Sequence, residues 1–212
     1  MLNLKTYPII RKTDRDLEIP NLLDFLTTYK DHMVSLLDIG GHYTAGYYAP
    51  QISKMVDFYE AMDMIDDPNV HPYVTNFIVD DAVTHEYVDY DTIICCSTIE
   101  HIGMYPKIYA DEERARLQLF EKIMTHAKKY FWLSFPVGRR FTIPGEMTII
   151  NEKEMEKYET LMTGKITNIG YFWSDGPQAG KPWIKSDRKK VFNHDYIMPL
   201  GNQAICIIEG AV

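Results

Sequence analysis

The sequence predicts an α/β fold, a largely parallel sheet with helices on both faces, and three observations predict it. Short apolar runs recur at 34–39, 56–62, 73–79, 91–97, 130–135 and 203–209. Helical patterns fall before and between them, and strands alternating with helices imply crossovers and hence parallel pairing. Several runs are apolar throughout rather than alternating, as strands covered on both faces are.

Each element has its own justification. PNLLDFLTTYKD at 20–31 carries apolar residues at 22, 23, 26 and 29, a helical spacing. VSLLDI (34–39) stops at Gly40-Gly41, a strand that ends in a glycine turn. VDFYEAM (56–62), YVTNFIV (73–79) and DTIICCS (91–97) are the next three strands. DEERARLQLFEKIMTHAKKY (111–130) is a helix with Leu117, Phe120, Ile123, Met124 and Ala127 on one side. Its acidic start and basic end suit the helix dipole. YFWLSF (130–135) and QAICIIE (203–209) are strands, and EKEMEKYETLM (152–162) is a surface helix with apolar positions 155, 158, 161 and 162.

Composition bounds the function. The 212 residues are 46% hydrophobic and 25% charged, an ordinary globular balance, and no linker divides them, so one domain over 1–212 is expected. No run approaches the roughly 18 apolar residues of a membrane span, and MLNLKTYPIIRKTDRD lacks the features of a signal peptide. A cytoplasmic protein is the expectation. The net charge of −8 argues against a general electrostatic grip on nucleic acid. Cys95 and Cys96 lie in an apolar run and read as small buried hydrophobes. KPWIKSDRKK (181–190) is a basic exception, either a solvated loop or a contact for an anionic substrate.

In parallel sheets ligands bind beyond the carboxyl ends of the strands, where strand order reverses. Polar and glycine residues gather at those ends. Asp38, Gly40, Gly41 and His42 belong to the first; Glu60, Asp63, Asp66 and Asp67 to the second; Asp80, Asp81 and Ala82 to the third. Ser97, Thr98, Glu100 and His101 follow the fourth, and Gly138, Arg139 and Arg140 the fifth. Taken singly, each has a plain alternative: a turn, a helix cap or a structural His–carboxylate pair. Their recurrence at one end of successive strands favours a ligand site.

These residues resemble the class I S-adenosylmethionine-dependent methyltransferases. LLDIGGHYTAG is similar to the family's first motif, and Asp63 to the acid that holds the ribose, with Glu60 in reserve. VDDA (79–82) resembles the segment that receives the adenine, DYDTIICCSTIEHIG (89–103) the "EHI" stretch of small-molecule methyltransferases, and WLSFPVG (132–138) the fifth strand. The family's run is acid-x-G-x-G-x-G; here His42 and Thr44 replace the second and third glycines. The resemblance implies a three-layer Rossmann-like sandwich with a C-terminal antiparallel hairpin near 191–209, and S-adenosyl-L-methionine as cofactor. It implies Asp38, Gly40, Gly41, His42, Asp63, Asp81, Ala82, Ser97 and Thr98 as cofactor residues. Residues 1–33 become an N-terminal helical cap, 34–138 the cofactor core and 139–212 the acceptor side and closing strands.

The reaction so implied is methyl transfer to a small molecule, a saccharide or metabolite hydroxyl. Its partners are that acceptor and, at most, a second copy of the chain. His101 is the candidate base or acceptor-positioning residue, with Glu100 orienting it or holding the cofactor; packing against the cofactor loop is the plain reading of His101. No metal is predicted, because no second acidic ligand has convincing spacing. The acceptor is chosen by the parts outside the shared core, 1–33, MYPKIYADEE (104–113) and 138–195, with Arg139, Arg140, Tyr171, Phe172, Trp173 and Trp183 as candidates for its wall. A non-catalytic cofactor-binding module is the alternative. A nicotinamide fold is disfavoured because G-x-G-x-x-G is not matched from either Gly40 or Gly41.

Overall fold

A computed structural model of the chain describes residues 13–103, 109–139, 142–143, 146–197 and 201–212. One eight-stranded sheet runs through it. In chain order its strands are β1 (Ser35–Ile39), β2 (Phe58–Asp63), β3 (Asn76–Val79), β4 (Tyr90–Cys96), β5 (Ala127–Pro136), β8 (Ile166–Ser174), β9 (Ile184–Ser186) and β10 (Gln203–Ala211). β6 (Thr142–Ile143) and β7 (Met147–Thr148) form a separate two-stranded ribbon. Across the sheet the order is β3-β2-β1-β4-β5-β10-β8-β9. The first five strands are parallel, and β10 is antiparallel to both β5 and β8. Order reverses at β1, which pairs with β2 on one side and β4 on the other.

Period-two alternation sends the side chains of each central strand into two separate cores. Leu37, Ile39, Ile93, Cys95 and Phe131 face α3 (Glu112–His126) and α4 (Glu152–Leu161). Leu36, Ile94, Cys96, Trp132 and Ile205 face α1 (Arg15–Tyr29) and the short α2 (Ala49–Ile52). The expected three-layer arrangement is thus the observed one, and burial on both sides explains the apolar runs. All three cysteines are buried and unpaired.

Several boundaries differ from the expected ones. α1 begins at Arg15, capped by Asp14, with Pro20 inside it rather than at its start. α3 ends at His126, because Ala127 already pairs with Tyr90, so Lys128 and Lys129 belong to β5. Neither 64–75 nor 80–89 contains an α-helix, so helices do not separate every pair of parallel strands. The region 166–174 is a strand: Phe172 is fully buried in one core, and Tyr171 and Trp173 sit in the other. Trp183 packs on the α1 side and donates from Nε1 to the Thr13 carbonyl at 3.1 Å. These four aromatics are therefore core residues and not an acceptor wall. The basic segment is not a loop either. It holds β9 and α5 (Arg188–Phe192), and Arg188 is tied to Glu159 of α4 at 2.7 Å. Arg140 and residues 104–108 lie outside the described residues.

α4 reads as a surface helix in sequence, yet Met155, Tyr158 and Met162 are fully buried. A buried ion pair fixes it to α3. Arg116 Nε and Nη2 donate to the two Glu154 carboxylate oxygens at 2.7 and 3.2 Å, and Tyr158 adds its hydroxyl at 2.6 Å. Phe120 stacks on Tyr158 with ring centres 4.2 Å apart. Removing one partner of a buried pair strands the other charge, at a cost of about 3–5 kcal/mol, whereas an apolar replacement of both often costs little. Glu154→Ala should therefore lower stability by about 3 kcal/mol or more in urea unfolding. Arg116→Met combined with Glu154→Leu should recover most of it, and a single variant as stable as the parent would refute the assignment.

Candidate functional site

A cavity of about 370 Å³ opens at the carboxyl ends of β1, β2, β3 and β4, where strand order reverses. Nine of the strand-end residues expected there line it: Gly40, His42, Asp63, Asp80, Asp81, Ala82, Ser97, Thr98 and His101. Four strand ends thus converge on one space.

The glycine turn is built by close approach. Gly40 has φ of +86°, and a Cβ on it would lie 1.9 Å from Thr98 Oγ1. Only glycine serves at such a position. Gly40 and Gly41 both donate backbone N–H to the Met62 carbonyl, at 2.8 and 3.0 Å, which ties the turn to β2. Beyond it, the His42 N–H donates to Asp63 Oδ2 at 3.3 Å and the Tyr43 N–H to Asp67 Oδ2 at 2.8 Å. Tyr43 adopts a left-handed φ of 65° and lays its ring against that of His42, 3.6 Å between centres. His42 Nδ1 is buried without a hydrogen-bond partner, 3.8 Å from Asp67 Oδ2. Burial pushes the Asp67 carboxyl up, but the N–H bonds from Tyr43 and Asn69 outweigh it and hold the group below the usual range.

At the β2 end, Asp63 faces the cavity, and its other oxygen accepts the Ile65 N–H at 3.1 Å. Glu60 points elsewhere: its carboxylate is taken by Tyr90 at 2.5 Å and Asn76 at 2.9 Å. At the β3 end, Asp81 accepts the Val83 N–H at 2.9 Å and the Tyr109 hydroxyl. Met64, Ile65 and Ile102 add apolar lining to the cavity, and Met64 and Ile65 are exposed.

At the β4 end, Ser97 has a left-handed φ of 46°. Its N–H donates to the Ser134 carbonyl at 3.0 Å, and its hydroxyl to Glu18 at 2.5 Å. His101 Nδ1 donates to the Glu146 carbonyl, which holds the ring by that nitrogen. Nε2 lies 3.9 Å from Glu100 Oε1.

Asp38, Gly41 and Glu100 are not among the cavity-lining residues. A Cβ on Gly41 would strike that of Ala61 at 2.6 Å, so this glycine serves the packing of the turn on β2. Asp38 shares the face of Leu36 and lies beneath α2, where Tyr59 and Tyr48 donate to it at 2.9 and 3.2 Å. Burial drives its carboxyl up to about 7 against the pull of both tyrosines. Glu100 is buried behind the turn, and burial likewise raises it to about 7, with His101 working against the shift. Its Oε2 has no hydrogen-bond partner. Sequence reasoning missed Arg15, which lines the cavity from α1; Tyr109, which lines it from the loop before α3, falls in the segment 104–113 assigned to the acceptor side. Met64 and Ile65 were detectable as apolar residues just past a strand end.

No family model matches the chain, and no curated protein matches it by sequence. Solved structures do match by fold. A S-adenosylmethionine-dependent methyltransferase from Leishmania major aligns with a TM-score of 0.58 at 10% identity, over 92% of this chain and 72% of that one. The magnesium protoporphyrin IX methyltransferase of Synechocystis PCC 6803, with bound S-adenosylmethionine, gives 0.56 at 13%, over 91% and 77%. The N-methyltransferase NodS of Bradyrhizobium japonicum WM9, with S-adenosylhomocysteine, gives 0.54 at 10%, over 94% and 88%. The chain has the Rossmann-like fold of class I S-adenosylmethionine-dependent methyltransferases. No described helix is long and apolar enough to cross a membrane.

The Asp38 environment predicts a pH effect. Unfolded, an aspartate releases its proton near pH 3.9; folded, Asp38 does so near 7. Between these values the folded state holds the extra proton, so its contribution to stability falls as pH rises and levels off above 7. Asp38→Asn should gain stability relative to the parent between pH 5 and pH 8 in urea unfolding. A difference independent of pH would contradict this.

Proposed function

We propose that the chain transfers a methyl group from S-adenosylmethionine to a small-molecule acceptor. The observation that carries this reading is the convergence of Gly40, Asp63, Asp81-Ala82 and Ser97-Thr98 on one switch-point cavity. The residues present fit the cofactor. Asp63, at the end of β2, suits ribose hydroxyls as a charged acceptor. Met64, Ile65, Ala82 and Ile102 offer an apolar slot for a ring. Arg15, which also borders the adjoining cavity beside Gly40 and His42, offers a cation to a charged amino-acid group. The Synechocystis and Bradyrhizobium proteins, named for methyl transfer and seen with S-adenosylmethionine or S-adenosylhomocysteine, support the reading.

When bound, this cofactor supplies a methyl group on a sulfonium, whose departure leaves a neutral thioether. The protein's main contributions are then alignment and exclusion of water. His101, on the cavity wall with Nε2 as acceptor, takes the proton of an acceptor hydroxyl or ammonium. Glu100 does not line the cavity, and its carboxylate, 3.9 Å from that nitrogen, favours the imidazolium formed when His101 takes the proton. A module that binds the cofactor without turnover is the second reading, favoured by the bulk of His42 and Tyr43 in the turn.

Calorimetry with S-adenosylhomocysteine tests the site directly. The parent should bind, and Asp63→Ala should weaken binding by about tenfold or more, the worth of hydrogen bonds to a charged acceptor. His101→Ala should retain cofactor affinity and lose about 10²–10⁴ in turnover. Absence of binding by the parent overturns both readings, and full turnover by His101→Ala removes that residue from the chemistry.

A further inference from the structure

We infer that Glu18 is a positioning residue of the proposed cofactor site, and that the first turn of α1 forms a wall of that site. Glu18 is completely buried. One carboxylate oxygen takes the Ser97 hydroxyl at 2.5 Å, and the other takes Arg15 Nη1 at 3.0 Å. Both partners line the cavity. Residues about 80 positions apart in sequence are thereby joined at the end of β4 through one carboxylate.

The two groups it holds need holding. Ser97 sits at φ 46°, a conformation unfavourable to a side-chain-bearing residue unless its surroundings fix it. Glu18 and Ser134 supply that fixation from opposite sides. Arg15 is clamped on the strand end, with Nη1 also 3.3 Å from the Cys96 carbonyl and from Cys96 Sγ. Burial works against the guanidinium charge, and Glu18 together with Cys96, Asp14 and Tyr48 more than restores it.

Charge separation along the cavity gives the arrangement its use. Asp63, Asp80 and Asp81 lie at the end formed by β2 and β3, and among the described lining residues Arg15 is the one Lys or Arg side chain. It also borders an adjoining cavity of about 170 Å³, shared with Gly40, His42 and Tyr43. An anionic group on the ligand is therefore drawn to the Arg15 end, and Glu18 sets where that guanidinium stands. This rests on the cofactor reading above and identifies Arg15 as the contact for the carboxylate of the amino-acid part.

The test compares S-adenosylhomocysteine with 5′-methylthioadenosine, which keeps the nucleoside and thioether but lacks the amino-acid end. Calorimetry on the full chain should show Glu18→Gln weakening the first ligand by about tenfold, as expected for loss of one charge-assisted contact, and the second by less than about twofold. Arg15→Ala, at a partly exposed position, should show the same selectivity, and the double variant should lose no more than Arg15→Ala alone. Equal weakening of both ligands, or of neither, in these variants overturns the inference while leaving the cofactor reading intact. Failure of the parent to bind either ligand overturns both.

Discussion

The carboxyl ends of β1 and β4 meet at Gly40 and Thr98 with no space for one more carbon atom, since a Cβ on Gly40 would fall 1.9 Å from the Thr98 hydroxyl. Much of the site follows from that contact. Because strand order reverses at β1, the chain leaves β1 toward β2 and leaves β4 toward β5. A crevice therefore opens between the two departing turns. The turns must also be anchored, and each is anchored to its neighbouring strand: Gly40 and Gly41 to the Met62 carbonyl, Ser97 to the Ser134 carbonyl. The crevice is a product of sheet topology, and its walls are held by backbone hydrogen bonds rather than by side chains alone.

On this frame the charged groups divide into those that face the crevice and those that support it. Asp63 and Asp81 face it, while Asp38 and Glu100 are buried behind it. Alternation along β1 decides the fate of Asp38: the side chain shares a face with Leu36, so it enters the α1 and α2 layer and is satisfied by Tyr48 and Tyr59. Glu18 is also buried, yet both of its partners reach the crevice, which connects the helical layer to the site.

Much of this was legible in the sequence because strand-end chemistry is local. A glycine or acid just past an apolar run lies at the crevice in a parallel sheet, whatever the rest of the chain does. That logic found Gly40, Asp63, Ala82 and Thr98. It does not reach a side chain's direction, which sets Asp38, Gly41 and Glu100 behind the crevice rather than on its wall. Arg15 was hidden because Pro20 resembles a helix start, whereas α1 accommodates it in its sixth position. β8 was hidden because Asn168 and Gly170 interrupt its apolar pattern, and its aromatics then resembled a pocket wall. Helix α4 declared its apolar stripe correctly, but not the Arg116–Glu154 pair that buries it.

The central claim is that a nucleoside carrying an amino-acid group occupies the crevice in one orientation. A crystal structure of the chain with S-adenosylhomocysteine tests it most directly. Ribose hydroxyls are expected on Asp63, the base between the β2 and β3 ends, and the amino-acid carboxylate at Arg15. Density for the ligand in the opposite orientation, or at another place on the sheet, would contradict it.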